Sequence, residues 1–577
     1  MVKDKGVLNE SSPLLFKGGS SECTTTIIQS HDSVETPTIP REEEVIIPDN
    51  VWYIIISLWT SSFLSAADTT IVSTTANVIA SSMNGSDKIA WIATSYLLTN
   101  AVFQPLVGKI SDVYGRRTTL LVSQVWFILG CLLCALSRTV NDFIVARAIA
   151  GVGGGGMSAL SSIIVTDVIP LRKRGFFQGY ANLVYGTGQF LGPIIGSIFL
   201  TANEKAGWRW MFGLQVPLVS ITSVLVFKNV HEFRFDAELL MKNRFRLSNI
   251  KKIDLPGSLS LAGFIVAILI LFSASSTFQV EAAVLCAVLS AISFYLVENY
   301  VVEERIIPPR AFQGLLRIAA LIAFFGTMAM YSLNFVLPLY VQIIQDFSSF
   351  QLGVFNAFGV FSSAAGSLIA GWILKEKEKV RPEIVVKKSV NISIGSCLLS
   401  FAGAFICMFF VRAVKPTIDR ADINYLKMAI IALGYTLTSL GYGSFLVSLL
   451  VLVVGEVGMR HQATVTGMNY MFRSMGSVGG VGISLGVYNL MLRKELYHYF
   501  VTKGREHGFS IYHKLLKDSF YIRNGLPQIY VHKVLKFYRE SLGDSLVLVF
   551  IMGSLALILS LLMRLYNPHI GRHWTIV

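Results

Sequence analysis

The chain has 577 residues, of which 53% are hydrophobic and only 15% charged. Soluble chains carry more charge than this, and apolar runs recur along almost the whole length, so the composition excludes a string of water-soluble domains and predicts one membrane unit. The formal net charge is +14, but most Lys and Arg fall between apolar runs, where they set membrane topology rather than bind nucleic acid.

Residues 1–50 are polar and rich in Ser and Thr, which predicts a disordered cytosolic tail. No signal peptide is read there, so the first apolar helix is expected to act as the insertion signal. Within the tail, Glu10-Ser-Ser-Pro-Leu14-Leu15 has the pattern of an acidic dileucine sorting signal. Such a signal is read by a coat adaptor in an extended, exposed segment; the pattern is short, and a chance match is the alternative.

Beyond residue 50 come about fourteen apolar runs of ~20 residues each, the length that spans a bilayer as a helix. They begin near Val51, Ile89, Thr119, Phe143, Phe176, Trp208, Leu255, Ala282, Ile318, Gly353, Ser389, Met428, Val465 and Ser545. The runs at Leu255 and Ala282 are short. Basic residues follow the second run (Lys109, Arg116, Arg117), the fourth (Arg172, Lys173, Arg174), the sixth (228–252) and the tenth (375–388). Loops after the first, seventh and ninth runs are nearly free of them. The positive-inside rule then places both termini in the cytosol. The implied organisation is a six-helix bundle at 51–228, a cytosolic linker with two extra helices at 229–316, and a second six-helix bundle at 317–577 with a long lumenal loop at 490–543.

The first run carries Asp68. A carboxylate inside a bilayer costs ~2.5–3.5 kcal/mol on insertion scales, so it marks function. In the fourth run stands Arg147, followed by Gly151, Gly153, Gly154, Gly155 and Gly156. At 1.5 Å per residue, Asp68 lies ~25 Å above the cytosolic entry of its helix, and Arg147 ~8 Å below the opposite entry of its own. In a ~30 Å slab the two reach a similar level. Arginine would then hold Asp68 ionised, with cargo or proton competing for it; the alternative is a purely structural ion pair.

After the second run comes Gly108-Lys-Ile-Ser-Asp112-Val-Tyr-Gly115-Arg116-Arg117. The glycines permit a tight turn, and Asp112 and Arg116 offer opposite charges to neighbouring helix ends. The whole pattern resembles the loop signature of the major facilitator superfamily, and from here the resemblance covers nearly the entire chain. In that family the loop latches the cytosolic gate. Asp68-Thr69-Thr70-Ile71-Val72 resembles the first-helix signature of its fourteen-span, drug:proton-antiporter-type branch, and Arg147 with the glycines behind it resembles the fourth-helix motif, in which the arginine is associated with proton coupling. Ala150 stands where that motif has glutamine.

The fifth run contains Gly188, Gly192, Pro193 and Gly196. Glycines four apart make a groove for close helix approach, and Pro193 removes a backbone donor and can kink the helix. Packing alone explains the spacing; together with Pro193 it resembles the antiporter motif of the same superfamily, which implies exchange. Trp208-Arg-Trp-Met-Phe, Val216-Pro217 and Asp254 with Gly257 also resemble the fourteen-span branch. The stretches from Trp91 through Tyr96, Asn100 and Gln104 to Pro105, and from Arg174 through Gln178 to Asn182, are similar to the fungal vacuolar basic amino acid transporters. That resemblance implies that histidine, lysine and arginine enter the vacuole in exchange for protons. A plasma-membrane multidrug:proton exporter of the same architecture is the alternative, and a non-transporting nutrient receptor on the same scaffold is a rival from another class, against which intact Asp68, Arg147 and the Gly-Pro motif speak.

Arg473 lies inside the span that starts near Val465, and Glu456 ends the span before it. A structural contact with a carbonyl or with Glu456 is one reading of Arg473, and a gate or anion-facing residue the other. The late loop holds His498, His507, His513 and His532; 513–520 and 531–538 have the spacing of short amphipathic helices on the membrane surface. No histidine pair has metal spacing. Of the six cysteines, Cys131 and Cys134 form a C-x-x-C inside an apolar run and read as small core residues. No G-x-x-x-x-G-K-[ST] loop is present, so energy must come from an ion gradient or the cargo's own. The expected protein is a transporter with no cofactor, and not an enzyme.

Overall fold

The computed structural model describes residues 51–83, 89–202, 207–230, 255–273, 277–301, 313–347, 349–375, 382–413, 425–457, 462–502, 508–517 and 521–565. The tail with Glu10, Leu14 and Leu15, and also Asp254 and His507, lie outside them.

Every element among the described residues is helical. In chain order they are α1 (Val51–Ser82), α2 (Ile89–Tyr114), α3 (Arg116–Leu136), α4 (Val140–Val168), α5 (Leu171–Ala202), α6 (Gly207–Asn229), α7 (Leu255–Ser273), α8 (Thr277–Leu296), α9 (Gly314–Leu339), α10 (Ser349–Leu374), α11 (Pro382–Ala413), α12 (Tyr425–Val457), α13 (Gln462–Tyr497), the short α14 (Gly508–Lys517) and α15 (Tyr521–Asn524), and α16 (Gln528–Met563). Among the described residues, twelve are long and apolar enough to cross a membrane; α2 and α7 are the remaining long helices. α2 interrupts its apolar run with Asn100, Gln104, Lys109 and Asp112. α7 is a 19-residue helix of strongly apolar sequence.

Local chemistry sets several helix ends. Thr139 caps α4: its hydroxyl accepts from the Asp142 amide at 3.2 Å, and the Asp142 carboxylate accepts from the Thr139 amide at 3.0 Å. This reciprocal box satisfies two backbone donors that a helix start leaves orphaned. Between α2 and α3, Gly115 has φ 92° and ψ 152°, a region that side chains beyond glycine rarely enter.

The two halves have separate apolar cores. α1–α6 enclose one built on Ile54, Leu58, Phe127, Leu160 and Val219, and a second on Phe143, Trp208 and Phe212. In the second half, Leu333, Tyr340, Ile431, Leu452 and Leu542 belong to a single larger core. The extra pair sits beside these. α7 packs Leu261 and Ile265 against Met471 of α13, with Leu98 and Val102 of α2 at the same contact, so it covers the line where the halves meet. α8 pairs with α7 through Ser260–Ser293 at 3.0 Å and otherwise presents Phe278, Leu285 and Tyr295 outward, as a lipid-facing helix does.

The late loop is smaller than its sequence suggests. α13 and a π-helical turn carry the chain to Thr502, and the last long helix starts at Gln528, not near Ser545. The segment 531–538 is the first part of that helix rather than a separate surface helix. At 36 residues it is ~54 Å long, far more than the ~30 Å bilayer needs. Its early apolar residues Val531, Val534 and Leu535 join Phe500, Leu515 and Ile522 in the core of the second half. The Tyr538 hydroxyl donates to the Leu515 carbonyl at 2.8 Å. An apolar stripe gains the same burial from protein as from lipid, and here protein supplies it. His498, His513 and His532 are exposed.

Candidate functional site

Asp68 and Arg147 meet. Arg147 Nη1 donates to Asp68 Oδ2 at 2.6 Å, and Nη2 donates to the Asp68 backbone carbonyl at 3.3 Å. Exposure is 0% for Asp68 and 1% for Arg147. The guanidinium carbon stands 4.4 Å from the Tyr96 ring centre and 5.6 Å from that of Phe212, so aromatic faces support the cation on two sides. The pair is not saturated: Asp68 Oδ1 and Arg147 Nε have no hydrogen-bond partner. Such a pair is held by mutual attraction in a dry site, where losing either charge is costly.

The glycines of α4 make this contact possible. Side chains at Gly151 or Gly155 would run into the α2 backbone at Tyr96 and Asn100, at Gly153 into α3 at Ser123 and Phe127, and at Gly154 into the Tyr96 ring. α4 is thus clasped from several sides, as small residues allow between membrane helices. On α5, Gly188 faces Phe63 and Ala66 of α1, and Gly192 faces Ala67 and Thr70. The Thr70 hydroxyl donates to the Gln189 carbonyl at 2.9 Å. The turn of α1 that carries Asp68 is therefore fixed between α4 and α5. α5 runs as one helix from Leu171 to Ala202 through Pro193, and Gly196 is buried in it.

A cavity lies between the halves, with roughly 1240 Å3 of space including its open part. α1, α2, α4 and α5 give Trp59, Thr69, Asn100, Gln104, Ser162, Gln178, Asn182 and Tyr185; α9, α12 and α13 give Tyr331, Tyr442, Tyr470, Arg473 and Ser474. No Asp or Glu is among the lining residues, and Arg473 is their only charged side chain. Asp68 and Arg147 do not line it either. In this conformation the carboxylate is set one residue behind the wall, since its neighbour Thr69 is on it, and it makes no surface that a cargo could touch.

Side chains from both halves join across the cavity. Ser474 of α13 donates a hydrogen bond to Gln104 of α2, and Asn182 of α5 donates to Ser367 of α10 at 3.0 Å. Further toward the α2–α3 turn, Gly108 faces the Gly467 backbone, and Gly175 of α5 faces Gly371 and Leu374 of α10. At this end the halves touch directly.

The same end holds the charged turn. Arg116 pairs with Asp112 at 2.9 Å and with Asp167 at 3.0 Å, and hydrogen-bonds Ser111 at 2.5 Å. Arg117 donates to the Phe227 carbonyl and lies over its ring at 4.2 Å. Asp167 was not singled out from the sequence. It offered a signal, however: an acid in the last turn of a helix opposes the macrodipole and needs a cation. Gly115→Ala should cost about 1–3 kcal/mol, because alanine strains at φ 92°. A lowered thermal midpoint of the purified protein checks this, and an unchanged one contradicts it.

The other sequence candidates resolve simply. Among the described residues, Arg473 forms no ion pair with Glu456; its guanidinium stands 4.8 Å from the Tyr470 ring centre, and Tyr442 lines the same cavity. Cys131 and Cys134 are free and buried, and the Cys131 thiol reaches Gln215 Oε1 at 3.6 Å.

An all-helical chain of two halves, packed around a polar cavity with a buried ion pair beside it, has the build of a membrane solute carrier. The Major Facilitator Superfamily profile matches residues 58–280 and 256–481, and the chain belongs to that family. Vacuolar basic amino acid transporter 1 of Saccharomyces cerevisiae is 34% identical over 93% of this chain and 97% of that protein. Multidrug resistance protein fnx1 of Schizosaccharomyces pombe is 31% identical over 80% of this chain and 83% of its own length. Among solved structures, the proton:xylose symporter XylE shares the fold at TM-score 0.54 and 13% identity, over 90% of this chain and 96% of that one. The human organic anion transporter MFSD10 does so at TM-score 0.54 and 15% identity, over 89% of this chain and all of that one.

Proposed function

We propose that the protein is a proton-coupled antiporter that moves histidine, lysine and arginine from the cytosol into the vacuole. The observation that carries the cargo and the membrane is the kinship, over 93% of the chain, with a vacuolar basic amino acid transporter. Asp68 and Arg147 carry the coupling. Positive loops favour cytosolic termini, with fourteen spans grouped as 51–228, the linker and extra pair 229–316, and 317–577. The adaptor reading of Glu10, Leu14 and Leu15 fits delivery to an internal membrane.

With that topology, the contacts at Gly108 and Gly175 lie on the cytosolic side, so the conformation described is closed to the cytosol. A lumenal proton that reaches Asp68 neutralises it and weakens its hold on Arg147. That loosens α1 from α4 at the turn where Thr69 forms cavity wall. Tyr185, on the same cavity wall as Thr69, carries the change toward Arg473 and the second half. The latch formed by Asp112, Arg116 and Asp167 with the packing of Gly108 holds the cytosolic end until the halves rock. Cargo entering from the cytosol restores the charged pair and the proton leaves.

ATP-dependent uptake of labelled lysine and histidine by isolated vacuole vesicles tests this. ATP here only energises the membrane, so a protonophore should abolish accumulation. Uptake that ignores the protonophore would overturn the mechanism even with the cargo right. A second reading, a multidrug:proton exporter at the plasma membrane, draws on the aromatic wall (Trp59, Tyr185, Tyr331, Tyr442, Tyr470) and the similarity to fnx1. It predicts no lysine uptake, drug resistance on overexpression, and a fluorescent fusion at the cell surface.

A further inference from the structure

We infer that Arg473 is the anion-binding group of the cavity: it holds the α-carboxylate of the cargo, so that the site selects whole amino acids and rejects cations of the same shape without a carboxylate. The inference rests on the proposed amino acid cargo and adds to it which end of the cargo goes where.

The argument starts from charge. A basic amino acid carries a carboxylate and two ammonium groups, and each needs a partner once it leaves water. The cavity wall has no Asp or Glu and one cation, Arg473. Asp68, behind the wall, is taken by Arg147 at 2.6 Å and fully buried. A bare diamine would therefore meet one positive charge and no negative one. A zwitterionic head meets Arg473 with its carboxylate, and the same arginine becomes an attraction.

The arginine is also left ready for an anion. Its Nε is buried and has no hydrogen-bond partner. Among the described residues it has no carboxylate partner; the Tyr470 ring lies 4.8 Å away and Tyr442 lines the same wall. A guanidinium offers five donors in a planar fork that matches a carboxylate. A purely structural arginine at this depth would have its donors on carbonyls or on Glu456; this one keeps Nε unpaired on a side chain that lines the cavity.

The opposite wall suits the cationic end. Trp59 and Tyr185 supply aromatic faces, and Asn100, Gln104 and Gln178 supply amide oxygens. A cargo held by its carboxylate on α13 and by its side chain on α1, α2 and α5 spans both halves. Ser474, the residue after Arg473, already bonds Gln104 across that divide. Binding of a two-ended cargo would thus report directly on how the halves sit.

The test uses the full-length protein in sealed vesicles with labelled lysine. Lysine and arginine should compete; cadaverine and lysinamide, which keep the cationic chain and lack the carboxylate, should compete about 10- to 100-fold less well, the range of a charge-assisted bond. Arg473→Gln should raise the KM for lysine by a similar factor and bring the potencies of lysine and lysinamide together, while Arg473→Lys keeps part of the preference. Monodisperse elution and vacuolar localisation of each variant establish that it folds. Equal potency of lysine and lysinamide on the wild-type protein overturns the inference and needs no variant. So does an Arg473→Gln protein that transports with the wild-type preference. If the wild-type vesicles take up no lysine at all, it is the cargo reading that fails.

Discussion

Asp68→Asn is expected to abolish protonophore-sensitive accumulation of lysine, with the protein still folded and in its membrane. Asparagine has the shape of aspartate, and its oxygen can still accept from Arg147, which donates to Asp68 Oδ2 at 2.6 Å in the native pair. It cannot take up a proton, so the site is frozen in one charge state. Asp68 is fully buried and absent from the cavity wall, so on the proposed mechanism it carries the proton and does not touch the cargo. The variant should therefore still bind lysine, with a Kd within about threefold of native, a difference worth only ~0.7 kcal/mol. Binding measured by scintillation proximity and accumulation measured in vesicles separate the two roles. Loss of both would make the carboxylate a direct cargo ligand in another conformation, and native accumulation would remove it from the mechanism altogether.

The helices were legible because the membrane enforces a length: each spanning helix needs ~20 apolar residues, and polar breaks mark its ends. The same fixed rise per residue brought Asp68 and Arg147 to one level from helices 79 positions apart. Polar residues inside an apolar run mark the inner wall: Asn100 and Gln104 of α2 line the cavity. Sequence reasoning failed where two environments look alike. Val531, Val534 and Leu535 read as a lipid-facing stripe, yet they pack on Phe500 and Leu515; periodicity reports an apolar partner without naming it. Partners far apart in the chain were the other gap. Nothing near Arg116 in sequence points to Asp167, 51 residues away, and nothing near Arg473 says that Glu456 is not its partner. Which cation meets which acid belongs to helix packing; the local pattern says only that Asp167, in the last turn of α4, needs one.

Removing the other half of the pair should act on stability first. Arg147→Met leaves the Asp68 carboxylate at 0% exposure with no cation, and breaking a buried pair from one side costs about 3–5 kcal/mol. Methionine fills much of the volume between Tyr96 and Phe212, so the loss is chiefly electrostatic. Adding Asp68→Asn to the same chain removes the stranded charge, and the double variant should recover most of the stability, because replacing a whole buried pair by neutral groups is close to neutral. The cycle of thermal or denaturant unfolding in detergent gives a coupling energy, expected at about 3 kcal/mol or more, because each single variant strands a buried charge and the double variant strands none. Transport must not recover with it: the double variant is stable and has no group to exchange a proton. A coupling near zero would mean that the two charges do not hold one another. A double variant that accumulates lysine in a protonophore-sensitive way would mean that the proton travels by another path.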